Sequence, residues 1–395
     1  MFLILFVLRK RQPIGLAMLA GGLSVWLLTG GQVEILTKSL STVATMPRTY
    51  ELIFALYFVM CLELQLRLSG TLDGLMSALQ HWFKSERLTL VLMPAFLGLL
   101  PSLGGARFSA PMVENVGNKI ALDAQGKTVI NFWFRHVVEY INPINPGLIL
   151  ASAISMIPLS KLIGSMYWVS LAAIAVGWVC CIPRQKSIPT VQAEVLTPQE
   201  NKQDVKEVSL ALAPVVLNFI LIVFFYVNPA IAMGLITLGM FFVLRFVGRP
   251  VNVFQVLTEA FDKKLILNVM SIIFFIQILT YTKTLEEVVR VLSNSPLPIA
   301  MVVGIISLLI GVLTGISQGH VAMVMPLVAA IAPQDIKLAS LALVLGVAGQ
   351  MITPTHLCFI VTLDYFKADF FKALRPVFVM QTLVVTIFLL GWSFM

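Results

Sequence analysis

The feature that most constrains this chain is an apolar stretch, residues 93–117, interrupted by residues that a membrane-spanning helix avoids. It contains three prolines, four glycines and one arginine, Arg107. The interior of a bilayer offers no water to bond freed backbone groups, so a broken segment at that depth must be buried in protein or line a cavity. We therefore predict a re-entrant helical hairpin that enters the membrane, turns at Gly104 and Gly105, and returns.

The composition indicates a membrane environment for the whole chain. Of the 395 residues, 58% are apolar and 12% are charged, and the mean hydropathy is +0.94. These values predict an all-α polytopic membrane protein without a separate soluble domain. The basic residues that give the net charge of +8 are dispersed between apolar runs. They form no basic surface of the kind that binds nucleic acid, so we expect no nucleic-acid partner. The four cysteines lack metal-ligand spacing, so we expect no metal and no cofactor beyond a coupling ion.

The plan of the first half of the chain recurs in the second half. Gly104 and Gly319 lie 215 positions apart, and so do Pro111 and Pro326. We therefore predict about ten transmembrane segments in two repeats, each with a re-entrant hairpin and a broken helix. The first repeat is 1–182, with its hairpin at 93–117 and its broken helix at 128–160; residues 183–208 form a linker; the second repeat is 209–395, with its hairpin at 297–332 and its broken helix at 337–366.

The basic residues predict the orientation in the membrane. With both termini outside, 19 Lys and Arg residues fall in cytoplasmic segments and 6 in outer segments, which is the bias of the positive-inside rule. Each repeat then has five crossings, an odd number, so the two repeats are inverted. The linker 183–208 is cytoplasmic and the protein lies in the cell membrane. Residues 1–8 must count as the first crossing, although a complete one needs about 20 residues.

Helix breaks in such repeats form binding sites near the middle of the bilayer. The breaks here fall at 101–111, 142–147, 314–320 and 350–356, where small polar residues stand beside glycine or proline. The N–H groups at helix ends favour anions, and the C=O groups favour cations. The predicted substrate-binding residues are Gly104, Gly105, Arg107, Ser109, Asn142, Asn145, Ser317, Gln318, His320, Thr353, Thr355 and His356.

Ionisable residues near the breaks suggest how the site works. A charge at membrane depth is costly and usually functional, and Arg107 suits a substrate carboxylate or phosphate. Pairing of Arg107 with Glu114 or Glu139 is an equal alternative. His136 and Glu139 lie one helical turn apart, and together with His320 they are the predicted coupling groups for protons. The alternative for the histidines is a core position with satisfied hydrogen bonds.

Four motifs are distinctive, and together they extend over most of the chain. They are Leu99-Leu100-Pro101-x-x-Gly104-Gly105-x-x-Phe108-Ser109-Ala110-Pro111, Asn131-x-Trp133-Phe134-Arg135-His136, Pro146-Gly147-Leu148-Ile149-Leu150, and Pro354-x-His356-Leu357-Cys358. They resemble a family of uncharacterised prokaryotic permease-like membrane proteins. That family in turn resembles the ion-transporter superfamily of citrate, dicarboxylate, gluconate and arsenite carriers. The resemblance implies small anions, cation coupling and homodimers, but the Ser-Asn-Thr signature of dicarboxylate carriers is missing at both hairpin tips.

These observations predict a secondary active transporter rather than an enzyme. No P-loop, dinucleotide fingerprint or nucleophile motif is present in the sequence. The predicted substrate is a small organic anion such as a carboxylate, coupled to H+ or Na+, in a homodimer within the lipid bilayer. A cation/proton antiporter that uses His136 and Glu139 is the alternative. A remoter alternative is an intramembrane metalloenzyme that uses His136, Glu139 and His356.

Overall fold

The computed structural model describes residues 2–9, 12–82, 85–99, 105–182, 198–294 and 296–394. The regular elements in these ranges are all α-helices. They are α1 (Phe2–Arg9), α2 (Ile14–Leu28), α3 (Val33–Thr45), α4 (Pro47–Leu68), α5 (Thr71–Trp82), α6 (Glu86–Leu99), α7 (Gly105–Lys119), α8 (Ala124–His136), α9 (Pro146–Ser155), α10 (Leu159–Cys181), α11 (Pro198–Val223), α12 (Pro229–Phe246), α13 (Val253–Glu259), α14 (Lys263–Tyr281), α15 (Thr284–Ser293), α16 (Ile299–Thr314), α17 (Ser317–Ile331), α18 (Ile336–Met351), α19 (Leu357–Phe366) and α20 (Phe370–Trp392).

The helices α1–α10 and α11–α20 follow one another in the same order, and their ends are built alike. Asp123 caps α8 by accepting a hydrogen bond from the Gly126 amide at 2.7 Å. Asp335, 212 positions later, caps α18 by accepting from the Leu338 amide at 2.9 Å. Such caps satisfy amide groups that the first turn of a helix leaves free. The same local chemistry therefore starts the corresponding helix in each half.

Left-handed backbone positions also correspond between the halves. Met156 ends α9 with φ 61°, and Lys367 ends α19 with φ 51°. Ala121 precedes α8 with φ 53°, and Gln334 precedes α18 with φ 60°. Residues with a Cβ rarely adopt this conformation. Two such pairs, 211 and 213 positions apart, are therefore evidence of a similarity between the halves. They indicate that the two halves share a backbone path.

The packing between the halves is reciprocal. Helix α2 packs against α14, and its counterpart α12 packs against α4. In the same way α9 packs against α17 while α19 packs against α7, and α8 contacts α20 while α18 contacts α10. This pattern is what an approximate two-fold relation between the halves produces. The most enclosed element is α18, in which every residue from Leu338 to Met351 is buried.

Close crossings at glycine fix the two broken segments against their hairpins. A Cβ on Gly98 of α6 would overlap the carbonyl oxygen of Arg135 on α8. A Cβ on Gly311 of α16 would overlap the carbonyl oxygen of Gly346 on α18 in the same manner. Only glycine allows backbones to approach this closely. The two crossings hold corresponding helices at short range in both halves.

Several of the described helices are long and apolar enough to cross a membrane. These are α10, α12, α14, α20 and the Asn201–Val223 part of α11, which makes five; counting α4 and part of α5, which bend by 67°, as one span gives six. Shorter apolar helices are α2, α9, α16, α17, α18 and α19. The protein is therefore a multi-pass membrane protein. The total of about ten segments, the inversion of the repeats and the re-entrance of the hairpins stay predictions.

The helix boundaries refine the predicted segments. The helices α6 and α7 occupy the hairpin 93–117, whose tip at 100–104 lies outside the described residues, and α16 and α17 occupy 297–332. The segment 128–160 breaks between α8 and α9, and 337–366 breaks between α18 and α19. The helix α11 already begins at Pro198, inside the linker predicted at 183–208. Its polar residues include Asp204 and Glu207, which are buried rather than solvated.

Candidate functional site

The break between α8 and α9, residues 137–145, is held by two asparagines. Asn142 donates from Nδ2 to the carbonyl oxygen of Leu99 at 3.1 Å, at the end of α6. Asn145 caps α9 by accepting a hydrogen bond from the Gly147 amide at 2.7 Å. Proline at 143 and 146 cannot donate a backbone hydrogen bond, so side chains take over the contacts that the helix has lost. Both predicted binding residues are thus engaged with the backbone.

The break between α18 and α19, residues 352–356, is held in a matching way. Thr353 donates from Oγ1 to the carbonyl oxygen of Val312 at 2.5 Å, near the end of α16. Thr353 stands 211 positions after Asn142, and Val312 stands 213 positions after Leu99. In each half, a polar side chain of the break therefore satisfies a free carbonyl of the hairpin beside it. Thr355 is exposed and its hydroxyl lies 3.0 Å from that of Thr353.

The N-terminus of α17 meets both breaks. Gly315 ends α16 with φ 67° and packs against Thr355; this left-handed turn directs the chain into α17. Ser317, the first residue of α17, donates its hydroxyl to Oε1 of Glu139 in the first break. Gln350 at the end of α18 donates from Nε2 to the same oxygen at 2.7 Å. One carboxylate therefore joins a helix start, a helix end and a break.

Several polar atoms around this carboxylate are buried without a hydrogen-bond partner among the described residues. They are Oε2 of Glu139, Oε1 of Gln350 and both ring nitrogens of His320. His320 is only 1% exposed and its ring packs on Gly346. Each unsatisfied buried polar group costs about 1–3 kcal/mol. A bound ion, proton or polar ligand would offset that cost, which makes these atoms a candidate binding site.

Two histidines face each other beside this carboxylate. His136 ends α8 and His356 precedes α19, and their Nε2 atoms lie 3.0 Å apart. Nδ1 of His136 is 2.7 Å from the Phe132 carbonyl oxygen, and Nδ1 of His356 is 2.9 Å from the Gln350 carbonyl oxygen. The Phe132 ring packs on both imidazoles, with centroid distances of 4.7 and 5.1 Å. The pair is therefore fixed in orientation, with His356 buried and His136 half-buried.

The surroundings of the pair include a buried cation and a thiol. Arg135 is buried and donates from Nη1 to the Leu97 carbonyl oxygen at 3.1 Å. The donor atoms of His136, His356 and Cys358 all lie within 4.8 Å of one another, close enough to surround a small ion. A metal bonded to both Nε2 atoms at about 2.0–2.1 Å would hold them about 3.3 Å apart at a tetrahedral angle. The observed 3.0 Å fits a hydrogen bond better.

The structure brings three of the four predicted stretches, 142–147, 314–320 and 350–356, to one place. Within these stretches, Ser317, His320 and His356 lie around Glu139. Gln318, the residue after Ser317, is half-buried. Gly104 and the side chain of Arg107 lie outside the described residues. Gly105 starts α7, and Ser109 is fully buried in that helix.

Sequence reasoning placed His356 among substrate ligands and left Gln350 and Cys358 out of the site. Gln350 stands alone as a polar side chain in the apolar run from Leu341 to Met351. That isolation is a signal, because a lone amide in an apolar helix needs a partner. The contact between His136 and His356, 220 positions apart, leaves no local signal in either segment.

The chain matches, over residues 1–394, the family described as protein of unknown function (DUF401). No curated protein matches it. Among solved structures it is similar to the YdaH transporter of Alcanivorax borkumensis, whose crystal structure is described as having an unusual topology. The TM-score is 0.63 at 13% identity, with 96% of each chain covered. Identity this low speaks for the fold alone. The chain therefore belongs to the DUF401 family and shares the overall fold of a solved transporter.

Proposed function

We propose that this protein is a secondary active transporter that moves a small organic anion, a carboxylate, across the cell membrane with H+ or Na+ coupling. The likeness in fold to a transporter supports this class. The observation that carries the proposal is the group of buried, unpartnered polar atoms around Glu139, Gln350 and His320, where helix ends from both halves meet. Transporters of two repeats bind their substrates at such a place.

A carboxylate is the favoured substrate because the site already holds one. Glu139 accepts hydrogen bonds from Ser317 and Gln350, at a helix start that carries a partial positive charge. A substrate carboxylate would compete with Glu139 for these donors, and a proton bound beside Glu139 would weaken its hold on them. Arg107 on α7, the counterpart of α17, would supply a second positive charge to the substrate. This competition gives a physical basis for moving an anion together with a proton.

The proposal includes the predicted architecture. The corresponding helix orders and reciprocal packing of α1–α10 and α11–α20 support two repeats related by a two-fold axis. Inverted repeats with about ten crossings would place both termini outside and residues 183–208 in the cytoplasm. Alternating access would then move one half against the other around the fixed site. A homodimer is proposed on the family resemblance.

A thermal-shift screen and a transport assay test the proposal. Purified protein is heated with acetate, succinate, citrate and other organic acids at varied pH and Na+; a ligand of the folded state raises the melting temperature by mass action. Hits are then followed as radiolabelled anions into proteoliposomes. Arg107→Ala is expected to abolish uptake, whereas Arg290→Ala, at a side chain that is 70% exposed, should leave it unchanged. Unchanged uptake by Arg107→Ala would contradict the anion assignment.

A cation/proton antiporter is the second candidate. The observation that favours it is the pair of unpartnered oxygens, Oε2 of Glu139 and Oε1 of Gln350, because oxygen ligands suit alkali cations. In that case Na+ alone would drive a pH change inside proteoliposomes without any organic anion. A pH change that requires the anion would exclude this candidate.

A further inference from the structure

The contact between His136 and His356 joins the two halves of the chain. His136 ends α8 in the first half, and His356 lies at the break before α19 in the second. Their Nε2 atoms are 3.0 Å apart, and the two rings are inclined by 84°. This is hydrogen-bond distance, so the protonation of the four ring nitrogens decides whether the contact attracts or repels.

In each ring, Nδ1 already donates a hydrogen bond to a backbone carbonyl oxygen. Nδ1 of His136 faces the Phe132 carbonyl oxygen, and Nδ1 of His356 faces the Gln350 carbonyl oxygen. A carbonyl oxygen can only accept, so each Nδ1 carries a proton. If both rings were neutral, each Nε2 would then present a lone pair to the other. A hydrogen bond between them requires one further proton.

We propose that His136 and His356 share one proton between their Nε2 atoms, and that binding and release of this proton is the coupling step of the transporter. The coupling part rests on the proposed function, whereas the shared proton rests on the ring geometry alone. When protonated, the pair holds three protons on four nitrogens and carries a charge of +1. A cavity with room for about one water molecule borders His136, and a water bound there would be the proton acceptor on release.

Burial disfavours the positive charge of the protonated pair, and the charged groups that face the pair offset or add to this effect. Glu139 lies one turn from His136 and supplies the negative charge that favours the added proton. Arg135 on α8 opposes it, and its guanidinium is already engaged with Leu97 on α6. The remaining titratable neighbours are Tyr140 in the first break, His320 on α17 and Cys358 on α19, while α18 and α20 present the uncharged Gln350 and Gln381.

Release of the proton has a mechanical consequence. Two neutral rings with opposed lone pairs repel, and their Nδ1 bonds to Phe132 and Gln350 prevent either ring from turning over. The rings must therefore move apart, and α8 moves with one while α19 moves with the other. The protonated pair closes the interface between the halves, and the deprotonated pair opens it. This gives the proton a direct effect on the conformational equilibrium that alternating access requires.

Nitrogen NMR of the purified full-length protein, labelled with 15N-histidine, tests the shared proton without any substrate. Between pH 5 and 9, His136 and His356 are expected to titrate together in one step that binds one proton. In His356→Gln the amide of the glutamine can donate to Nε2 of His136, so His136 should stay neutral and the step should vanish. His81→Gln, a change at a histidine that is not among the site residues, should leave the step intact. Two independent titrations, or none, would overturn the proposal.

Two further measurements distinguish a shared proton from a bound metal, and the shared proton from its role in coupling. Metal analysis of the same samples should find less than stoichiometric metal; a bound metal at one per chain that His356→Gln loses would overturn the shared proton. Uptake of the anion found in the screen should fall about tenfold per pH unit above the histidine midpoint in the wild type, and should be flat in His356→Gln. Equal wild-type uptake at all pH values would overturn the coupling step. Failure of any uptake would overturn the proposed function and the coupling step with it, whereas the shared proton would stand or fall by the NMR titration.

Discussion

The hydroxyl of Ser317 donates a hydrogen bond to Oε1 of Glu139, which stands 178 positions earlier in the chain. The contact joins the first turn of α17 to the break between α8 and α9. Because Gln350 donates to the same oxygen at 2.7 Å, one buried carboxylate holds three elements of the site together. A group in this position contributes to stability, and under the proposed function it also competes with the anion; substitution separates the two effects.

Ser317→Ala is expected to lower the free energy of unfolding by about 1.5–3 kcal/mol, because hydrogen bonds to charged groups contribute that much. In a Glu139→Gln background the same change should cost less, since the charged acceptor is gone. Denaturant unfolding of the four proteins completes a double-mutant cycle with an expected coupling of about 1–2 kcal/mol. Ser77→Ala, at an exposed serine that bonds only within α5, serves as control. A coupling near zero would contradict the proposed link.

Gly98→Ala and Gly311→Ala are expected to destabilise the protein by about 1–3 kcal/mol or more, because the new methyl group would overlap a backbone carbonyl oxygen in each case. Backbone cannot move aside as a flexible side chain can. Gly164→Ala and Gly239→Ala are matched controls, since both sites have open space around the added Cβ. These should be neutral or slightly stabilising. Melting temperatures in detergent report the difference, and equal shifts at all four sites would contradict the close crossings.

Asn142→Ala and Thr353→Val test the corresponding backbone contacts of the two breaks. Each change leaves a carbonyl oxygen without its side-chain donor, at Leu99 or at Val312. The expected cost is about 1–3 kcal/mol for each, measured as loss of unfolding free energy. Thr382→Val, at an exposed threonine that bonds only within α20, should have little effect. If the two variants unfolded like this control, the breaks would depend on something other than these bonds.

The sequence predicted where the helices break, because proline and glycine act locally. Pro143 and Pro354 each interrupt an apolar run and remove a backbone donor, and the structure breaks at both places. The outer limits of the helices were also close to those predicted, for instance 297–332 against α16 and α17. That part of the fold follows from local chemistry alone.

The contacts across the halves could not be predicted from the sequence. The sequence left open whether Arg107 binds the substrate or pairs with Glu114 or Glu139, whereas the structure gives Glu139 the partners Ser317 and Gln350. The sequence grouped His136 with His356 only in the metalloenzyme alternative. That their rings face each other at hydrogen-bond distance depends on how two distant breaks pack, which a single sequence does not record. The start of α11 was missed for a related reason: its polar residues look solvated until the partner of Glu207 is known.

That partner is Arg249, and it is the basis of the last prediction. Arg249, in the loop after α12, donates from Nη1 and Nη2 to the two carboxylate oxygens of Glu207 at 2.7 and 2.5 Å. These bonds raise the pKa of the Arg249 guanidinium above its usual value, and Glu207 is only 4% exposed. Removing one member leaves the other charge buried without its counterpart, which is costly.

Arg249→Ala is therefore expected to lower the unfolding free energy by about 2 kcal/mol and to loosen the first turns of α11. Arg249→Lys should recover only part of the loss, since an ammonium cannot form the two parallel bonds of a guanidinium. Trypsin cleavage after Lys202 and Lys206 should become faster in Arg249→Ala, because local unfolding of the helix makes the backbone accessible to the protease. Arg245→Ala, at an exposed arginine one turn earlier, is the control. If both variants were cleaved at the wild-type rate, the start of α11 would be held by its apolar contacts with α5 rather than by this ion pair.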